Sequence, residues 1–332
     1  MERTRREFAA LKFGMFIHFG LYSQGQDHEW HMYLRKMSRD AYKTQFLRSF
    51  DPDPAGMEQW VLTVKAMGAK YLVCTSKHCD GFCLWPTAHH HALDPEYRIE
   101  NTLFWDHHQK GVLDYLFEAG RKHNIKIGLY HSVVDWSWSK KRWRRPPEHA
   151  INDIKLEQTY RANLEARLVE LIDRYPDILL LWLDAFPLIR DGLNRLHYRD
   201  LYATLRAKKA DLLIGYNPGR TTFQEDPDPC PVDFHIFENM AHRSEKNPVP
   251  YPRPSKLGEL PAEVCLTIND HWGYNATDKH YKSPEFIADL VQLNAARYGN
   301  TLLNFGPMPN GFISEEQVTI AHQIGDVLQG RK

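Results

Sequence analysis

Cysteine is scarce in this chain: five among 332 residues, at positions 74, 79, 83, 230 and 265. An odd, scattered set in a long chain is unlike the dense, even framework of a disulfide-stapled domain, so a reducing compartment is expected. Excess charge of one sign is also missing, since Lys plus Arg and Asp plus Glu each total 42. No net field draws in nucleic acid or an anionic membrane, and a polyanionic substrate is disfavoured. No apolar run reaches membrane-spanning length, and the opening MERTRREFAALKFG has no apolar stretch of signal-peptide size. The expected location is cytoplasmic, or secreted if a leader has been removed. The GxSxG elbow, the GxxxxGK[ST] loop, the GxGxxG turn and the HExxH zinc helix are all absent, which argues against acyl, nucleotide and zincin chemistry.

What is present is 42% hydrophobic and 12% aromatic residues, enough for one large core, with nine Trp and 18 His. Short β-branched or aromatic runs alternate with segments of helical period, the mark of βα units and a parallel sheet. Candidate strands are 13–19, 71–75, 125–130, 178–183, 212–216, 232–237, 263–268 and 301–305. Between them Met57, Trp60, Val61 and Val64 recur at helical spacing, as do Leu113, Leu116 and Phe117, and Leu164, Leu168 and Leu171. Asn124 and Gly68 stand where helices would close in a left-handed residue. Eight such units predict a (β/α)8 TIM-like barrel, one domain over residues 1–332, irregular in units five to seven, where 221–261 is rich in Pro, Asp and His. The DPDP segments at 51–54 and 226–229 read as turns.

A barrel's chemistry sits at the C-terminal strand ends. In chain order these offer His18 with Glu29, Trp30 and His31; His78, Cys79 and Asp80 with Trp85; Tyr130, His131, Asp135 and Trp136; Asp184; Asp233, His235 and Glu238; and Asn304. Asp184 follows the run LLLWL and reads either as a helix cap or as a reactive group at the rim of the core. Glycoside cleavage needs a second carboxyl group, roughly 5–5.5 Å away for a retaining route and roughly 6.5–9.5 Å for an inverting one. Glu238 is the candidate acid, against the plainer reading of a surface loop residue.

A zinc site at Cys74, His78, Cys79 and Cys83 is disfavoured, because Cys74 lies inside a strand and the spacing is not that of a knuckle. The runs at 89–91 and 107–108 lack carboxylate or cysteine partners at ligand spacing and read as solvated loops. No metal and no cofactor are expected.

With these residues placed, the chain resembles the α-L-fucosidases of glycoside hydrolase family 29. FGMFIHFGLYS followed by EWH is similar to that family's first strand and loop, KHCDGFCLW to its lysine-histidine-histidine-aspartate-glycine segment, GLYHSVVDW to its third strand end and LLWLDAF to its nucleophile strand. CLTINDHWGYN and TLLNFGPMPNG resemble its seventh and eighth units. The resemblance implies a retaining route with Asp184 as nucleophile and Glu238 as acid/base, Glu245 and Glu225 being competitors for the second role. It implies sugar contacts from His18, Glu29, Trp30, His78, Cys79, Tyr130 and His131, with Arg220 near the nucleophile and Trp85 as a further apolar wall. It also implies a fucosylated oligosaccharide or glycoside as partner; homo-oligomerisation is left open. Cys79 stands where the family usually has a second histidine and Ala185 where a glycine is frequent, so a modified relative of L-fucose is a candidate substrate. No C-terminal β-sandwich is expected. The alternatives are a fucose-binding barrel without catalysis and a glycosidase for a different sugar.

Overall fold

All eight apolar runs form strands in the computed structural model, which describes residues 1–91, 93–138, 154–188, 191–219, 230–238 and 260–331. They are β1 (Phe13–Ile17), β2 (Tyr71–Lys77), β3 (Lys126–Ser132), β4 (Leu180–Asp184), β5 (Leu213–Tyr216), β6 (His235–Glu238), β7 (Ala262–Thr267) and β8 (Gly299–Phe305). Every pairing is parallel, in the order β5-β4-β3-β2-β1-β8-β7-β6. Parallel neighbours need crossover connections, and helices supply them. The helices used below are α1 (Glu2–Ala9), α2 (Ala55–Ala66), α3 (Val112–His123), α4 (Ile154–Arg174), α5 (Tyr198–Lys208), α6 (Pro284–Ala295) and α7 (Glu315–Leu328).

Local chemistry explains where these helices stop and which side they bury. Met57, Trp60, Val61 and Val64 put the apolar stripe of α2 into the core, and Leu164, Leu168 and Leu171 do so for α4. Ser283 and Ser314 accept the backbone N–H of Phe286 and Gln317 and cap α6 and α7. Asn124 (φ 54°) ends α3, and Gly68 (φ 78°) follows α2, both in the left-handed conformation foreseen for them. Among the described residues no helix is long and apolar enough to cross a membrane.

The sheet curls into a nearly closed (β/α)8 barrel whose seam lies between β5 and β6. There no strand ladder forms, and Asp233 joins the edges instead. Its N–H donates to the Ile214 carbonyl at 2.8 Å, and its carboxylate accepts the Ile214 N–H at 2.9 Å. Arg5 of α1 and Arg206 and Tyr202 of α5 neutralise that buried carboxylate. Asp233 is therefore a structural staple ahead of β6, not a strand-end group as expected. The irregularity foreseen in the fifth to seventh units coincides with this seam; residues 220–229 and 239–259 lie outside those described.

Inside, Phe16, Tyr71, Val73, Tyr130, Leu180, Trp182, Leu213, Ile236 and Leu302 pack across the barrel. Helix α1 closes the N-terminal end, with Phe8 5.6 Å from the Tyr71 ring and 5.1 Å from that of Phe234. Among the described residues the opposite end opens onto a cavity.

Candidate active site

Strand alternation decides which residues reach that open end. Ser132 pairs with Asp184 across β3 and β4, and Leu183 with Tyr216 across β4 and β5, so Asp184 and Asn217 stand level one step on. Thr267 pairs with Asn304 on the far wall. The inward ends surround a cavity of about 490 Å³, lined among others by Phe16, His18, Glu29, Trp30, His78, Cys79, Tyr130, Trp182, Asp184, Asn217, Glu238 and Trp272.

Two carboxyl groups share one amide. Asn217 Nδ2 donates to Asp184 Oδ1 at 3.0 Å and to Glu238 Oε2 at 2.6 Å, one hydrogen for each. Its Oδ1 accepts the Gly219 N–H at 2.9 Å, which fixes the amide with nitrogen toward the acids. The two bridged oxygens are thus no more than about 5.6 Å apart. Asp184 also accepts the Tyr130 hydroxyl at 2.6 Å. Burial raises the pKa of Asp184, while Tyr130, the Ala185 N–H and Asn217 pull against it. Burial, followed by the charge of Asp184, pushes Glu238 up to about 7 against the pull of the Asn217 bond. Glu238 therefore holds its proton up to near neutral pH.

His18 and His78 are held neutral. His18 Nδ1 meets Asn304 Oδ1 at 2.7 Å, so that nitrogen carries the hydrogen and Nε2 presents a lone pair. Burial, partly offset by that bond, lowers the His18 pKa to about 3. His78 stacks on Tyr130 at 5.7 Å and is also driven well below its ordinary value, by burial first and then by His18 and Lys77. Glu29 accepts the Gly273 N–H at 3.0 Å. The Cys79 thiol lies 3.1 Å from Ser132 Oγ, and burial raises its pKa, so it faces the cavity as a neutral, weakly polar group.

Several expected residues are elsewhere. His131 follows Tyr130 by one position, so it points away from the cavity; it is wholly buried, 2.9 Å from Ser76 Oγ and 6.1 Å from the Trp85 ring. Trp85 is likewise buried outside the barrel wall, donating to Glu170 at 2.9 Å, and gives the sugar no apolar face. Asp80 accepts the Tyr42 hydroxyl at 2.9 Å, and Asp135 faces Lys77 and Arg167. His91 is buried against Trp138 rather than solvated, and His107 meets the carboxylate of Asp51 at 3.1 Å. Arg220, Glu225 and Glu245 lie outside the described residues.

The cavity also holds residues unremarked in the sequence: Asn217, Trp182 as an aromatic floor, and His28, His271 and Trp272 on one flank. Counting in twos from Asp184 back to Trp182, and across the register to Asn217, was a usable signal for the first two. His28, His271 and Trp272 lie in loops, which carry no such parity.

These features define a class of protein, a (β/α)8 barrel with a paired-carboxyl pocket at its C-terminal mouth. The model of the alpha-L-fucosidase family matches residues 2–331, and the chain belongs to that family. It is 26% identical to the tissue alpha-L-fucosidase of Homo sapiens and 28% identical to that of Rattus norvegicus, over 92% and 93% of its own length. It spans only 63% and 64% of the length of those relatives. Among solved structures it is similar to alpha-L-fucosidase isoenzyme 1 from Paenibacillus thiaminolyticus (TM-score 0.80, 24% identity, covering 99% of this chain and 76% of that one). It is also similar to the unliganded alpha-L-fucosidase AlfC from Lactobacillus casei (TM-score 0.73, 21% identity, covering 100% and 99%). At these identities the two structures support the fold alone.

Proposed function

We propose that this chain is a retaining glycoside hydrolase that releases terminal α-L-fucosyl residues from oligosaccharides or glycosides. The observation that carries the reading is the single Asn217 amide bridging Asp184 and Glu238. It keeps the two acids at the short separation of a double displacement, with too little room between them for the water of an inverting route. Asp184, ionised and aimed by Tyr130 and Asn217, attacks the anomeric carbon. Glu238, protonated near neutral pH, gives its proton to the departing oxygen. Once Asp184 is esterified its charge is gone, the Glu238 pKa falls, and Glu238 takes a proton from the water that releases the sugar.

The sugar's hydroxyls meet fixed groups. The lone pair of His18 Nε2 accepts a hydroxyl hydrogen, Glu29 accepts another, and His78 and Tyr130 contribute further contacts. Trp30 and Trp272 cover C–H faces at the rim. Cys79 offers only a weak donor where it faces the ligand, so the sugar position opposite it is weakly polar.

The test is Asp184→Gly assayed with an aryl α-L-fucoside. Turnover drops at least about 10³-fold, and added azide restores aglycone release and yields a fucosyl azide. Unchanged turnover would remove Asp184 from the chemistry. Sugar binding without any wild-type turnover would mark a non-catalytic lectin-like barrel instead.

A further inference from the structure

We infer that Glu263, which touches neither the cavity nor its carboxyl pair, is a positioning residue: it anchors the indole of Trp182 beneath the proposed sugar site. The inference rests on the functional reading above and extends it one layer down into the barrel.

Glu263 lies on β7 with no solvent exposure, in an interior lined mostly by apolar side chains, with the Asn300 amide beside Tyr71. A carboxyl group there is costly unless both oxygens are satisfied. Trp182 Nε1 donates to Oε1 at 3.0 Å, and the Tyr71 hydroxyl donates to Oε2. Among the described residues no cation stands beside it. Tyr71 reaches across the barrel because β1 has Gly14 opposite it; a Cβ at that position would collide with the Tyr71 ring. Leucine would fill the same volume, but it would take the acceptors away from the Trp182 and Tyr71 donors. What leucine could not do is hold the indole by its N–H.

The orientation of that indole has a consequence two residues along the same strand. Trp182 floors the cavity and stacks on Tyr130 at 5.5 Å and 27°, while Phe16 packs against both rings, 5.5 Å from Trp182 and 5.8 Å from Tyr130. Tyr130 in turn donates to Asp184 at 2.6 Å. An indole free to turn about its side-chain torsions removes the surface that aligns Tyr130 and changes the shape of the sugar's floor together.

The experiment compares Glu263→Leu with Glu263→Gln. Glutamine retains one acceptor for Trp182 and offers an N–H to the Tyr71 oxygen, whereas leucine leaves both donors unpaired. With an aryl α-L-fucoside, Glu263→Leu raises KM at least about tenfold and lowers kcat as well, while Glu263→Gln stays within about threefold of wild type in both. In parallel, the indole N–H resonance of Trp182, assigned by its loss in Trp182→Phe, moves and exchanges faster with solvent in Glu263→Leu but not in Glu263→Gln. Equal kinetics in the two variants, or an unmoved and equally protected Trp182 resonance in Glu263→Leu, overturns the anchor. If Glu263→Leu does not fold, loss of the Trp182 resonance position in Glu263→Gln gives the same refutation. A wild type that fails to cleave fucosides sinks the functional reading, while the resonance still decides the anchor.

Discussion

Replacing Asn217 with alanine tests the core of the site, because one amide serves both acids. Its two N–H groups each donate to a carboxyl oxygen, at 3.0 Å to Asp184 and 2.6 Å to Glu238. A hydrogen bond to a charged group contributes about 1.5–3 kcal/mol, equivalent to roughly one to two pH units in the titration it stabilises. Both bonds favour the ionised acid, so losing them raises both pKa values. The acidic limb of kcat/KM, where Asp184 must be ionised, moves up. The basic limb, where the proposed acid Glu238 must be protonated, moves up as well. The whole bell shifts toward higher pH by about one to two units, and at pH values below both acidic limbs activity falls about 10- to 100-fold beyond any loss at the optimum. The assay is aryl fucoside hydrolysis from pH 4 to 9, with Asn217→Asp as companion, since a third negative charge displaces the bell at least as far. A profile whose limbs stay within about 0.3 unit of wild type, whatever the fall in rate, refutes the shared-amide argument.

Two further outcomes follow from the same geometry. His131→Ala removes a buried group that bonds Ser76 outside the cavity, so stability drops by about 1–3 kcal/mol in denaturant unfolding while KM for the fucoside is unchanged; a raised KM at full stability would return His131 to the binding site. Ala185 holds φ at 71°, a left-handed conformation that costs a Cβ-bearing residue about 1 kcal/mol, so Ala185→Gly is neutral or up to about 1 kcal/mol more stable; a loss beyond that range would show that the alanine is unstrained.

The paired acids also show how little separates a structural carboxylate from a reactive one. Asp233 is fully buried, two arginines flank it, and its acceptor capacity is spent on a backbone seam. Asp184 has hydrogen-bond donors but, among the described residues, no cation beside it, and it opens onto a cavity. Charge neutralisation and access distinguish the two settings.

Much was legible from the chain alone: eight strands with helical faces between them, the two left-handed helix ends, and Asp184 at the end of an apolar strand. These are properties of period and local conformation, and a residue carries them wherever the chain goes. Parity was the weak point. Tyr130 and His131 look equally available at a strand end, but successive side chains point to opposite faces, and only the register with β4 says which one meets Asp184. On β2 the register shift between Thr75 and Lys77 breaks even that count, and His78 and Cys79 both reach the cavity from the turn beyond the strand. Asn217, Trp272 and Glu263 gained their roles only when closure of the barrel brought segments far apart in sequence within a hydrogen bond of one another, a distance that no spacing along the chain encodes.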